Sequence, residues 1–186
     1  MAFKHFNLTD EEKSMVLDVM KHVRVQEYTP EKLCELQKIL DTQYYYWWIN
    51  DMKKEEYGVD LYDENFECYC SGFGEYKSTP LATSRGGKWA NQFMNTAHMG
   101  HQPLVWLIDD THARGIFFFE SNMTFLDNPD KLLEQFYIYC NDFVKHDNGK
   151  WYISGYRLIA TKQNGELPPE NVTPPEGYVF PDWEEI

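Results

Sequence analysis

Two side chains carry the first chemical signal in this chain. His98 lies in Thr96-Ala97-His98-Met99-Gly100-His101-Gln102-Pro103, just ahead of the apolar run Leu104-Val105-Trp106-Leu107-Ile108. Asp51 closes the stretch Tyr44-Tyr45-Tyr46-Trp47-Trp48-Ile49-Asn50-Asp51. Imidazole is the side chain best suited to take and return a proton near neutral pH. A histidine base needs an orienter on its other ring nitrogen, normally a carboxylate. A carboxylate directly after a strongly aromatic stretch is costly unless it has a partner. Asp51 is therefore the candidate partner of His98, and abstraction of a proton from carbon is the chemistry such a pair can do. A plainer reading uses the same residues: His98 packed on a strand, Asp51 a surface acid at a helix end. Spacing alone does not separate the two.

The elements that would position this pair can be read from periodicity and punctuation. Thr9-Asp10-Glu11-Glu12 is a capping box, followed by Met15, Val16, Val19, Met20 and Val23 at helical spacing. Thr29-Pro30-Glu31 starts a second helix, with Pro30 suited to its first position. Leu33, Leu36, Leu40, Tyr44 and Trp47 predict its buried stripe, and the aromatics crowd its last turns. A shorter helical segment is predicted over Met52 to Tyr62, weakened by Gly58. Phe66 to Ser71 reads as a strand, Gly72-Phe73-Gly74 as a turn, and Ser84 to Asn95 as a helix. Strands follow at Met99 to Ile108, Arg114 to Phe125, Phe136 to Lys145 and Lys150 to Thr161. The last two are joined by a hairpin containing Asn148-Gly149. His101 has the opposite strand parity from His98 and should face away, unless a bulge exchanges them. His112 and His146 fall in turns and are expected to be solvated.

Helices first, then a strand, a helix and a long antiparallel meander predict an α+β domain over residues 1–164. Residues 165–186 carry Pro168, Pro169, Pro174, Pro175 and Pro181 and read as an extended tail. Tyr178, Phe180 and Trp183 in that tail need cover, from the body or from a neighbouring subunit.

Composition narrows the function classes. A chain of 186 residues with 42% hydrophobic content suits one domain with one core. A formal charge of −13 argues against a nucleic-acid or acidic-membrane partner. The four cysteines form no Cys-x-x-Cys pair and supply no convergent zinc set, so reduced thiols are expected. Two glycines at Gly86-Gly87 do not make a phosphate loop. No cofactor is expected. The segment Met1 to Phe6 lacks the apolar core of a signal peptide, and no run reaches the length of a membrane helix, so a cytoplasmic location is expected.

The order of elements, and the segment Asp147-Asn148-Gly149-Lys150-Trp151-Tyr152-Ile153, resemble the SnoaL-like branch of the nuclear transport factor 2-like superfamily, over roughly residues 10 to 162. The resemblance implies a cone-shaped α+β barrel, with N-terminal helices on a curved, mostly antiparallel sheet that encloses a pocket. In motifs the chain is closest to bile-acid 7α-dehydratases, through Ala97-His98-Met99-Gly100-His101, the Tyr46/Asp51 spacing and Gly155-Tyr156-Arg157. It is similar, more distantly, to scytalone dehydratases and lindane dehydrochlorinases around the histidine. It departs from scytalone dehydratases at Phe117, where they carry a second histidine.

The resemblance implies His98 as base, Asp51 as its orienter, Tyr46 as proton or hydrogen-bond donor, and Arg157 as partner of an anionic or carbonyl oxygen. It implies Tyr139 as a further donor, with Trp47, Phe117 and Tyr69 as aromatic lining. The expected reaction is cofactor-independent loss of water from a polycyclic or aromatic hydroxy-ketone. Double-bond isomerisation, cyclisation or plain ligand binding remain open on the same residues. A small apolar or aromatic substrate and a homo-oligomer, trimer before dimer, are the implied partners.

Overall fold

The computed structural model describes residues 4–70 and 93–166. A short strand β1 (Lys4–His5) precedes helices α1 (Asp10–Val25) and α2 (Pro30–Asp51). A 3-10 segment (Glu55–Leu61) leads into β2 (Tyr62–Cys70). Four long strands follow: β3 (Phe93–Leu107), β4 (His112–Phe125), β5 (Leu132–Lys145) and β6 (Trp151–Asn164). They form one sheet in the order β1-β6-β5-β4-β3, antiparallel except where β2 joins β6 in parallel. This is the α+β arrangement read from the sequence.

The helices begin where their caps predict. Thr9 Oγ1 accepts from Glu12 N at 3.2 Å, and Glu12 Oε2 accepts from Thr9 N at 2.7 Å. Pro30 opens α2 behind the Thr29 cap. The two helices take alternate strand positions. Met15, Val16, Val19 and Val23 of α1 pack with Leu104, Trp106, Ile116, Ile138, Cys140 and Ile159. Ile39 and Trp47 of α2 pack with Val105, Phe117, Phe119, Tyr139 and Tyr156. Because successive strand residues point to opposite faces, α1 and α2 lie on opposite faces of the sheet.

The predicted stripe of α2 holds from its second member on: Leu36, Leu40 and Tyr44 pack against the core that contains Trp47. Leu33 is 52% exposed, while Ile39, Gln43 and Trp47 are buried. Gln43 joins this buried face, and its Oε1 accepts from Asn141 Nδ2 in the core at 2.5 Å, a polar contact that apolar periodicity cannot reveal. The helix predicted over Met52 to Tyr62 is a 3-10 segment followed by strand. Lys53 has a positive φ of 55° directly after α2, so the chain turns there. Gly58 then lies against the Ile49 side chain, whose Cδ1 would stand 2.8 Å from an added Cβ.

The helix predicted over Ser84 to Asn95 is corrected at its end: Phe93, Met94 and Asn95 belong to β3. Phe93 is fully buried with Met123, Phe125 and Leu133, and this pairing across strands overrides its local spacing. The rest of that segment, the Gly72 turn and the proline-rich tail lie outside the described residues. The Asn148-Gly149 hairpin forms with Gly149 at φ +77°, a backbone conformation glycine adopts at little cost. No helix among the described residues is long and apolar enough to cross a membrane.

Candidate functional site

Asp51 is the last residue of α2, and His98 lies on the β3 positions that face α2. The two side chains meet. One Asp51 oxygen, Oδ1, is in short contact with His98 Nδ1, and the other, Oδ2, accepts from the His98 backbone N at 2.8 Å. Both carboxylate oxygens are thus committed to one residue. This holds the ring by Nδ1 and leaves Nε2 as the nitrogen able to act as base. The side chains are 16% and 22% exposed, partly desolvated yet reachable. The ring of His98 lies 5.1 Å from that of Phe119.

Trp47 fills the space beside the pair. Its ring packs against Phe117, Phe119 and Tyr139 at centroid distances of 5.7, 5.5 and 5.9 Å. It also presses on the backbone of Gly100, two residues from His98 on the same face; an added Cβ there would stand 1.8 Å from Cζ3. The Trp47 Nε1 donor is buried with no hydrogen-bond partner among the described residues, and so is Thr96 Oγ1. Buried polar atoms without partners are rare and call for an explanation.

Tyr46 lies in the same aromatic interior, on the side of β2 and β6. Its ring is 6.0 Å from Tyr62 and 6.1 Å from Tyr156. Burial pushes its phenol up to about 12, against the opposing effect of hydrogen bonds from Tyr156, Tyr139 and Tyr62. It is therefore a neutral donor at any ordinary pH. The 22-residue helix runs unbroken through Asp51. Tyr46 and Asp51 consequently stand about 140° apart around it, Tyr46 toward the tyrosines and Asp51 toward β3.

Arg157 and Tyr69 are not brought to the pair. They are register partners on β6 and β2, on the opposite face from Tyr156 and His98. Arg157 Nη1 donates to Asp142 Oδ2 at 3.4 Å, and Arg114 Nε donates to Asp142 Oδ1 at 2.5 Å. Both Arg157 and Tyr69 line a separate cavity of about 440 Å³ beneath the N-terminus of α1. The role implied for Arg157, partner of a substrate oxygen acted on by His98, is corrected on this point. Its cause is parity: Arg157 follows Tyr156 directly, and only one of two successive strand residues can face α2.

The remaining histidines sort as follows. His101 is exposed, and the irregularity in β3 falls after it, between His101 and Leu104, so it does not exchange with His98. His112 is exposed at the start of β4, against Asp109. His146 is exposed, as expected, and also bonds Asp63 Oδ2 through Nε2 at 2.8 Å and stacks on Tyr152. Phe119, Thr96, Tyr62 and Tyr156 are contributors that the sequence did not single out. Thr96 and Phe119 had a signal in strand parity with His98 and Phe117.

No family model matches the chain, and neither does any curated protein. Solved structures do. A protein provisionally described as a scytalone dehydratase from Novosphingobium aromaticivorans has a TM-score of 0.67 at 17% identity, covering 80% of this chain and 97% of that one. The hexachlorocyclohexane dehydrochlorinase LinA-type3 from Novosphingobium barchaimii has 0.62 at 16% identity, covering 77% and 97%. Rv3472 from Mycobacterium tuberculosis, of unknown function, has 0.60 at 18% identity, covering 71% and 76%. At such identities the likeness is one of fold, the α+β arrangement described above.

Proposed function

We propose that the chain is a cofactor-independent lyase that removes water from an aromatic or polycyclic hydroxy-ketone. The observation that carries this reading is the double hold of Asp51 on the ring and backbone of His98. A packed strand histidine needs no such fixation, whereas a general base gains from one. The fold, shared with a dehydrochlorinase and a protein described as a dehydratase, supports elimination chemistry as the class.

In this mechanism His98 Nε2 takes the proton from the carbon next to the ketone, and the C–H electron pair moves into an enolate. The enolate re-forms the ketone, its pair makes the new C=C bond, and the C–O bond to the hydroxyl breaks. The departing hydroxide takes a proton from the imidazolium and leaves as water, returning His98 to its starting state. Asp51 stabilises the imidazolium in between without itself being protonated. Trp47 Nε1, a buried donor in need of an acceptor, suits the enolate oxygen, and Tyr46 is a second neutral donor in the same interior. The surrounding rings of Phe117, Phe119 and Tyr139 suit a flat apolar substrate.

The test is a mass-spectrometric screen of hydroxylated polycyclic ketones for loss of water, run beside His98→Ala. Removing a general base costs about 10²–10⁴ in rate, so the variant should bind substrate and turn over almost none. Equal turnover by His98→Ala would refute the reading. A product isomeric with its substrate would redirect it to isomerisation.

A further inference from the structure

The cavity under α1 plays no part in that mechanism, and it is not a neutral hole. Its volume of about 440 Å³ lies in the range of small-molecule sites, about 300–1,000 Å³. Glu11, Glu12, Glu67 and Asp142 line it, with Arg157 as the one basic residue among the described lining residues. Arg157 and Arg114 both bond Asp142, so that carboxylate is already balanced within the chain.

Glu12 is different. It is 5% exposed, and its Oε2 completes the capping box while Oε1 has no hydrogen-bond partner among the described residues. A buried carboxylate oxygen without a donor is costly, and a group arriving with N–H bonds and positive charge would relieve it. Met15 and Tyr69 supply apolar wall beside the acids. No three His, Cys, Asp or Glu side chains among the described residues converge as metal ligands, so the acids do not present the oxygen cage a divalent cation requires.

We propose that this cavity binds an organic primary amine, its ammonium bonded to Glu12 and its alkyl or aryl body against Met15 and Tyr69. The site is on the other face of the sheet from His98, and amine binding is independent of the proposed elimination.

The experiment is calorimetric titration with 2-phenylethylamine hydrochloride at pH 7 and fixed ionic strength. Saturable one-to-one binding is expected, with no heat from 2-phenylethanol, which keeps the body and loses the charge. N,N,N-trimethyl-2-phenylethylammonium keeps the charge and loses the N–H donors, and should bind at least about tenfold more weakly. Glu12→Gln, which preserves the capping box and can be checked for helix content, should weaken the amine by a similar factor. Glu31→Gln, the same loss of charge at the exposed start of α2, should leave it unchanged, as should His98→Ala. Absence of saturable binding, equal binding of the trimethylated probe, or equal weakening by Glu12→Gln and Glu31→Gln would each overturn the proposal.

Discussion

Gly100→Ala is the substitution whose effect can be worked most directly from the structure. The new methyl carbon would stand 1.8, 2.1 and 2.8 Å from Trp47 Cζ3, Cη2 and Cε3. Nonbonded carbons settle at about 3.5–4.0 Å, so the indole must retreat by roughly 2 Å. It has little room to do so, being 4% exposed and bounded by Phe117, Phe119 and Tyr139. Overpacking of this kind costs about 1–3 kcal/mol, and in a chain of this size each kcal/mol lowers Tm by about 2–4 °C. A fall of roughly 2–12 °C is therefore expected. Thermal unfolding followed by circular dichroism measures the fall in Tm, and urea denaturation followed by tryptophan fluorescence the free energy. Trp47→Leu should destabilise by itself, yet Gly100→Ala/Trp47→Leu should be more stable than the sum of the singles by about 1 kcal/mol or more, since the smaller side chain admits the methyl. A Gly100→Ala protein within about 0.5 kcal/mol of the wild type, or strict additivity, would refute the packing argument.

Asp51→Asn should leave the helices intact by circular dichroism and reduce turnover on any substrate found by about 10²-fold or more, since the amide cannot stabilise the imidazolium; undiminished kcat would separate Asp51 from the chemistry. Glu35 provides a pH test. Hydrogen bonds from Lys145 and then Lys38 lower its carboxyl from 4.5 to about 2, with the Trp151 indole N–H adding to them. A lowered folded value means the stabilisation is present above 4.5 and is lost as pH falls toward 2. The gap in unfolding free energy between wild type and Glu35→Gln should accordingly narrow in acid, and a gap constant with pH would contradict the assignment. The Gln43–Asn141 bond leaves Gln43 Nε2 and Asn141 Oδ1 buried without partners among the described residues. Asn141→Leu alone should cost about 1–3 kcal/mol, and adding Gln43→Leu should recover much of it, which a double-mutant cycle in urea would read.

What was legible in the sequence follows the range of each signal. Caps and turns are local, so Thr9, Pro30 and Gly149 marked their elements correctly. The antiparallel meander was legible because its strands are long and apolar. The pairing of His98 with Asp51 was inferred from charge cost and resemblance rather than spacing, and the structure brings the two side chains together. Arg157 was matched to a motif position, but its face was decided by strand parity beside Tyr156. Phe93 was read with the glycines before it, while its actual environment is set by β4 and β5. The burial of Gln43 in α2 was not legible, because its partner lies 98 positions away. Such contacts have no signature until the chain has folded.

The bond from the His98 amide to Asp51 reaches beyond the ring it accompanies. Most strand amides answer only to a neighbouring carbonyl, whose charge never changes during a reaction. This one answers to a carboxylate that also faces the imidazole. Every proton gained or lost by the ring alters the acceptor seen by the amide, so a single main-chain N–H carries a running record of the ring's state. In a ¹⁵N-labelled protein that resonance would be a reporter built into the backbone, readable without touching a side chain. The same bond stitches the last residue of α2 to the middle of β3, so fraying at that helix end would loosen the ring and the strand together.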